Sequence, residues 1–299
     1  MINSASTLRV VYLGGLGRSG TTLLERLLGE LPGVVALGEV VHLWERGVLG
    51  GELCGCGVPF PECVFWRVIG ERAFGGWTPA LAERMLRLRE RVDRTRRIPR
   101  IAHPDLAAYT QAYRLVYEAV GAPVVVDSSK HASLACCLLA SGVDVRIVHV
   151  VRDPRAVAHS WGRTVRRPED GLPMTRWGPA RTALHWTAQN AALELLPGRG
   201  GRVTRIRYED LLAAPEATLV AVAREIDLEV PEVPFIEGGT AWLGPSHTAS
   251  GNPMRFHVGR VELRRDDSWV SGLPERDRRV VNALTWPLRA RYGYWGAPA

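Results

Sequence analysis

Residues 10–31 constrain this chain more than any other segment. Val10–Leu13 is a short apolar, β-prone run ending in Gly14-Gly15. Thr21–Leu31 then carries Leu23, Leu24, Leu27, Leu28 and Leu31 at helical spacing, and Pro32-Gly33 stops it. Strand, glycine loop and helix in that order form the opening unit of an α/β domain. A loop of this kind turns several backbone N–H groups toward one point at a helix N-terminus, where the helix dipole favours an anion. A turn that merely joined strand to helix would not need the cluster Arg18-Ser19-Gly20-Thr21-Thr22.

The rest of the chain continues the alternation. Further strands are predicted at Val34–Ala36, Val124–Val126, Val145–Val151 and Val203–Tyr208. Helical patterns cover Pro79–Arg97, Asp105–Val120 with Asp105 as its cap, Thr182–Leu196, Pro215–Ile226 and Glu275–Tyr292. A helical stretch also follows Gly38-Glu39 through Arg46, whereas Gly47–Glu62 and Gly238–Gly259 read as irregular. These elements predict one α/β domain over residues 1–299, with a mostly parallel central sheet and helices on both faces. Residues 47–120 form a helical, cysteine-containing insertion in this reading, and about 238–262 a C-terminal loop. With 46% hydrophobic residues in 299, the chain has apolar material for one sizeable core or two small ones. No run approaches the roughly 20 apolar residues of a membrane span. Met1–Thr7 lacks the basic region of a secretory leader, so a cytoplasmic protein is expected.

The loop's spacing refines its ligand. Gly15 and Gly20 match the glycines of the NTPase phosphate loop G-x-x-x-x-G-K-[ST], but Thr21 stands where the lysine belongs. The cation has moved to Arg18, with hydroxyls on Ser19, Thr21 and Thr22. That set suits a sulfate or phosphate tail better than a magnesium-bridged triphosphate. A net charge of +7 also favours anionic ligands, and is compatible with peripheral contact at an acidic membrane surface. Lys130 is the only lysine, and it follows Asp127-Ser128-Ser129 at a predicted strand end, the ligand-bearing edge of a parallel sheet. At Val151-Arg152-Asp153-Pro154, Asp153 can cap and Pro154 can open a helix that carries Ser160 in its first two turns. On its own, this segment could equally be a surface Arg-Asp pair beside a capped helix. The arginines between Arg84 and Arg100 alternate with Glu83, Glu90 and Asp93 and lack stacking aromatics, which argues for a solvated face and against nucleic acid. Cys54, Cys56 and Cys63 resemble a fragment of a metal site, which His42 or His103 could complete, or of a disulfide site, and otherwise read as free thiols. Without a nearby fourth ligand, no metal is expected.

Leu16-Gly17-Arg18-Ser19-Gly20-Thr21-Thr22-Leu23-Leu24 resembles the 5′-phosphosulfate loop of the sulfotransferase family. It is closer to the Arg-Ser-Gly-Thr-Thr form of bacterial and tyrosylprotein sulfotransferases than to the Lys-Ser-Gly-Thr form of cytosolic ones. The resemblance implies a P-loop NTPase-like three-layer sandwich. It also implies 3′-phosphoadenosine 5′-phosphosulfate as co-substrate and a hydroxyl-bearing acceptor of unidentified class, with no metal required. Arg152 and Ser160 match the family's 3′-phosphate motif, and Ile206-Arg207-Tyr208-Glu209-Asp210-Leu211 its strand-end segment, where the tyrosine lies near the adenine. Ser250–Phe256 is similar to the loop that folds over the nucleotide in bacterial members, making Asn252 and Arg255 candidate contacts. Gly38-Glu39 resembles the segment that supplies the catalytic glutamate in tyrosylprotein sulfotransferases, with His42 and then His131 as alternative bases. Arg18 and Lys130 would stabilise the leaving group. The competing enzyme class is an ATP-dependent kinase, in which Val124–Asp127 would serve as the strand that presents a magnesium aspartate.

Overall fold

A computed structural model describes residues 8–166, 171–230 and 232–296. Its order begins with β1 (Arg9–Gly14), α1 (Thr21–Gly29) and β2 (Val34–Gly38), then a 3-10 turn at Val40–His42 and a π-helical turn at Leu43–Leu49. Three helices follow, α2 (Val64–Phe74), α3 (Pro79–Val92) and α4 (Leu106–Val120). The α/β alternation resumes with β3 (Val124–Lys130), α5 (Ala132–Ala140), β4 (Val145–Val151), α6 (Pro154–Gly162), α7 (Pro179–Glu194) and β5 (Arg202–Arg207). The remainder is α8 (Tyr208–Ala213), α9 (Pro215–Glu225), β6 (Ile236–Glu237), β7 (Thr240–Leu243), β8 (Gly259–Glu262), α10 (Ser268–Gly272) and α11 (Glu275–Arg291).

The five predicted strands form one sheet in the order β2-β3-β1-β4-β5, every pair parallel. A parallel sheet needs cover on both faces, and the residues alternate accordingly. Val10, Tyr12, Val125 and Ile147 join one cluster with Trp44, Trp66, Tyr113, Leu134 and Leu193. Val11, Leu13, Val126 and Val148 join another with Leu24, Leu27, Leu28, Leu219 and Val222. The period of two along each strand therefore assigns alternate side chains to the two helical layers. The result is the expected three-layer α/β sandwich. Residues 43–117 contribute aromatic side chains to the first cluster, so α2–α4 share the core of the sheet.

Several local readings change. Gly238–Gly259 is not irregular throughout: it contains β7, which pairs with β6 just before it and β8 at its end in a small antiparallel sheet whose strands are too short for a periodic signal to reveal. Tyr208 opens a helix rather than closing a strand. The segment after Glu39 holds 3-10 and π-helical turns in place of a regular helix. Asp105 makes no side-chain cap on α4, and its carboxylate instead faces Arg91 at 3.1 Å. Asp153 does cap α6, accepting from the Arg155 N–H at 2.8 Å with Pro154 in the first turn. No helix among the described residues is long and apolar enough to cross a membrane.

Candidate functional site

In a parallel sheet all strands point one way, so residues that follow the strand ends converge at one edge. Here each of the five strands delivers a polar group at that edge. Gly14 at the end of β1 leads into the glycine loop, and β2 ends at Gly38 before Glu39. Lys130 is the last residue of β3, Arg152 follows β4, and Tyr208 follows β5. The strand order lays them out as Glu39, Lys130, the loop, Arg152 and Tyr208. All of them line a single cavity of about 870 Å³.

The loop holds its shape through backbone geometry. Gly20 sits at φ 92 beneath the Tyr208 ring, which occupies the space a Cβ would need. No side chain caps the first turn of α1, and that turn contains no acid. Its N–H groups thus remain directed at the cavity edge with the positive end of the helix dipole. Gly17, Arg18, Gly20, Thr21 and Thr22 line the cavity. Ser19 does not. It is buried, and its hydroxyl has no hydrogen-bond partner among the described residues. Arg18 lies over the Trp161 ring at 5.6 Å, and burial lowers its pKa.

At the β4–β5 side, Arg152 donates to the Arg18 carbonyl at 3.2 Å and stacks over Tyr208 at 4.6 Å. Neither Arg18 nor Arg152 has an ion-pair partner among the described residues. Ser160 lines the same cavity from α6. The wall beside it is an aromatic stack that sequence reasoning missed. Trp161 and Trp177 lie parallel with centroids 3.9 Å apart, and His185 stacks on Trp177 at 4.6 Å. The Trp161 indole donates to the Gly17 carbonyl at 2.9 Å, tying the stack to the loop.

At the β2–β3 side the charges are already engaged. Lys130 Nζ pairs with Glu39 Oε1, while His42 Nε2 lies 3.6 Å from Glu39 Oε2. Burial alone would raise the Glu39 carboxyl, but Lys130, His42 and Arg46 outweigh it and hold its pKa at about 2. Burial pushes His42 down to about 3 against the pull of Glu39, so the ring is neutral at pH 7. Its Nδ1 has no hydrogen-bond partner among the described residues. His131 also lines the cavity, its pKa lowered by burial.

Glu25 is a supporting residue that the sequence reading did not single out. It accepts from the Gly38 N–H at 2.5 Å and from the Ser128 hydroxyl at 2.9 Å, fixing the two strand ends that carry Glu39 and Lys130. Burial raises its pKa to about 7, with Ser128 and Lys130 pulling the other way. The available signal was a carboxylate within a leucine-rich helix.

Of the candidates in the C-terminal segment, Asn252 lines the cavity and caps the 3-10 turn at Pro253–Phe256 through Met254 N–H. Arg255 does not line it. Its buried guanidinium donates to the carbonyls of Leu53 at 2.7 Å and Thr248 at 3.1 Å. Asp127, the carboxylate that a kinase would aim at magnesium, is fully buried and accepts from Tyr117 at 2.6 Å and from Ser129. It is not part of the cavity lining. His42 and His103 do not approach the three cysteines: His42 faces Glu39, and His103 faces Asp105.

A model of the sulfotransferase family matches residues 68–232. That stretch contains Lys130, Arg152, Ser160 and Tyr208 but neither the glycine loop nor Glu39. No curated protein matches the chain significantly. Among solved structures, the fold is similar to the sulfotransferase domain of the Synechococcus PCC 7002 olefin synthase. The two share 17% identity and a TM-score of 0.52 over 98% of this chain and 96% of that one. The sulfotransferase domain of the curacin biosynthetic pathway is also similar, at 17% identity and TM-score 0.50 over 93% and 98%.

Proposed function

The chain belongs to the sulfotransferase family, and from that premise we propose that it moves a sulfuryl group from 3′-phosphoadenosine 5′-phosphosulfate to a hydroxyl acceptor. The observation that supports this donor most is a pair of arginines, Arg18 and Arg152, that line one cavity without an ion-pair partner among the described residues. Arg18 belongs to, and Arg152 packs against, a loop whose N–H groups have no capping carboxylate. In this reading Gly17–Thr22 receive the 5′-phosphosulfate, Arg152 and Ser160 the 3′-phosphate, and Tyr208 the adenine side. The segment 238–262 covers the nucleotide, with Asn252 as its contact. Arg255 acts from behind, by holding that segment to Leu53.

The acceptor oxygen attacks sulfur in line, and the bond from sulfur to the bridging phosphate oxygen breaks, releasing adenosine 3′,5′-bisphosphate. Glu39 takes the acceptor's proton. In the free protein Lys130 keeps Glu39 a weak base. An incoming phosphosulfate competes for Lys130, which then stabilises the leaving oxygen while Glu39 regains basicity through burial. His42 is the second candidate because it lines the same cavity with its Nε2 beside Glu39. Its low pKa arises first from burial, which donor binding would not relieve, so Glu39 is the better assignment. Residues 47–120 border the acceptor side, where Thr95 reaches the cavity lining. A transfer assay with labelled phosphosulfate against a panel of sugar, lipid, phenol and peptide hydroxyls tests the proposal. Label reaching at least one acceptor is expected, and donor binding without transfer to any class would overturn it.

A further inference from the structure

Cys54, Cys56 and Cys63 are spaced C-x-C and C-x6-C, and their loop meets a fourth donor from far along the chain. His247 Nδ1 lies 3.4 Å from Cys63 Sγ and 3.7 Å from Cys54 Sγ. Cys63 Sγ lies 3.5 Å from Cys54 Sγ and 3.8 Å from Cys56 Sγ. All four donor atoms fall within 4.8 Å of one another. A tetrahedral zinc with Zn–S of about 2.3 Å and Zn–N of about 2.0–2.1 Å has edges of about 3.8 Å between sulfurs and about 3.6 Å between sulfur and nitrogen. The two sulfur–nitrogen distances, 3.4 and 3.7 Å, bracket the second value, and the two sulfur–sulfur distances, 3.5 and 3.8 Å, lie at or just below the first. A disulfide would use two of the three thiols and leave the third beside the imidazole, whereas a metal engages every donor.

We propose that Cys54, Cys56, Cys63 and His247 bind one structural zinc ion. The donor set is three soft sulfurs and one imidazole with no carboxylate, which selects zinc over magnesium or calcium. Four protein ligands leave no open coordination position, as a structural site requires. Cys54 and Cys63 are buried while Cys56 and His247 are half-buried, so the ion has an entry side. The surroundings orient the ligands. Gly57 at φ 84 lets the chain turn back after Cys56, and the Cys54 N–H and carbonyl pair with Val58 and Gly57 at 2.8 Å each. His247 stacks on Phe65 with centroids 4.9 Å apart, and its carbonyl accepts from the Trp66 indole at 2.8 Å.

The ion would pin residue 247 to a loop more than 180 residues earlier. Two residues on, Ala249 bridges the edge of β2: its N–H donates to the Leu37 carbonyl, and its carbonyl accepts from the Glu39 N–H at 3.0 Å. Zinc would thereby hold the segment that positions the backbone of Glu39 and presents Asn252. It is a clamp and takes no part in sulfuryl transfer.

Metal analysis of the full-length protein purified under reducing conditions should find one zinc per chain. After removal of zinc by a chelator, cobalt should restore the site with the visible bands of a tetrahedral sulfur-ligated ion. Cys63→Ser should lose the zinc, whereas His247→Cys should retain it with a shifted cobalt spectrum, a readout that does not depend on how well the serine variant folds. Reduced protein that neither carries zinc nor gives tetrahedral cobalt bands would overturn the proposal. So would alkylation and mass analysis showing a native disulfide among the three cysteines.

Discussion

The two sides of the cavity hold similar charges in opposite states. On the β2–β3 side, Lys130 and Glu39 pair with each other beside a neutral His42, and the carboxyl pKa is held at about 2. On the β4–β5 side, Arg152 rests on a carbonyl and an aromatic ring, with no carboxylate partner among the described residues. An unopposed guanidinium is ready for an anion before any ligand arrives. A self-neutralised pair becomes useful only when a ligand competes for one member. In the proposed function, the contrast would separate a half that binds the donor from a half that reacts once the donor is bound.

The sharpest way to break that division is to remove the proposed base. Glu39→Gln should lower kcat by about 10²–10⁴-fold while leaving the affinity for adenosine 3′,5′-bisphosphate nearly unchanged. A large loss of nucleotide affinity with intact kcat would place Glu39 on the binding side. Arg152→Ala should do the reverse. Losing charge-assisted hydrogen bonds should weaken adenosine 3′,5′-bisphosphate by about 10- to 100-fold, with little change for adenosine 5′-phosphate. Equal losses for both nucleotides in titration calorimetry would remove Arg152 from the 3′-phosphate.

Lys130→Met sharpens the comparison through pH. With Lys130 present, Glu39 stays ionised well below the usual 4.5, so the acid limb of kcat/KM should lie far below neutrality. Without Lys130, burial dominates, the carboxyl pKa rises, and the limb should move upward toward neutral pH in the variant's profile. An unmoved limb would mean that Lys130 does not govern the base. The smallest effect concerns support. The folded-state pKa of Glu25 is raised above 4.5 to about 7, so its contribution to stability is full below 4.5 and is lost as pH rises through 7. Glu25→Gln should flatten that part of the stability curve in denaturant titrations, and an unchanged slope would contradict the assignment.

The sheet was legible because β1 to β4 carry valine-rich apolar runs buried on both faces, and the loop because glycine and hydroxyl residues cluster where a strand meets a helix. Lys130 stood out as the sole lysine. What was hidden depended on distance along the chain. Nothing local marks His247 as a neighbour of Cys63, nor Trp177 as the ring that stacks on Trp161. Arg255 was legible as a cation of the covering segment, but its direction was set by the carbonyls of Leu53 and Thr248. The strands β6 to β8 are two to four residues long and carry no readable period.

The proposed donor carries two separate phosphate positions. Calorimetry of the purified protein with adenosine 3′,5′-bisphosphate, adenosine 5′-phosphate and ATP tests it most directly. The prediction is tight binding of the bisphosphate, indifferent to magnesium and weakened by at least about 10-fold when the 3′-phosphate is absent. Magnesium-dependent ATP binding with no affinity for the bisphosphate would contradict it.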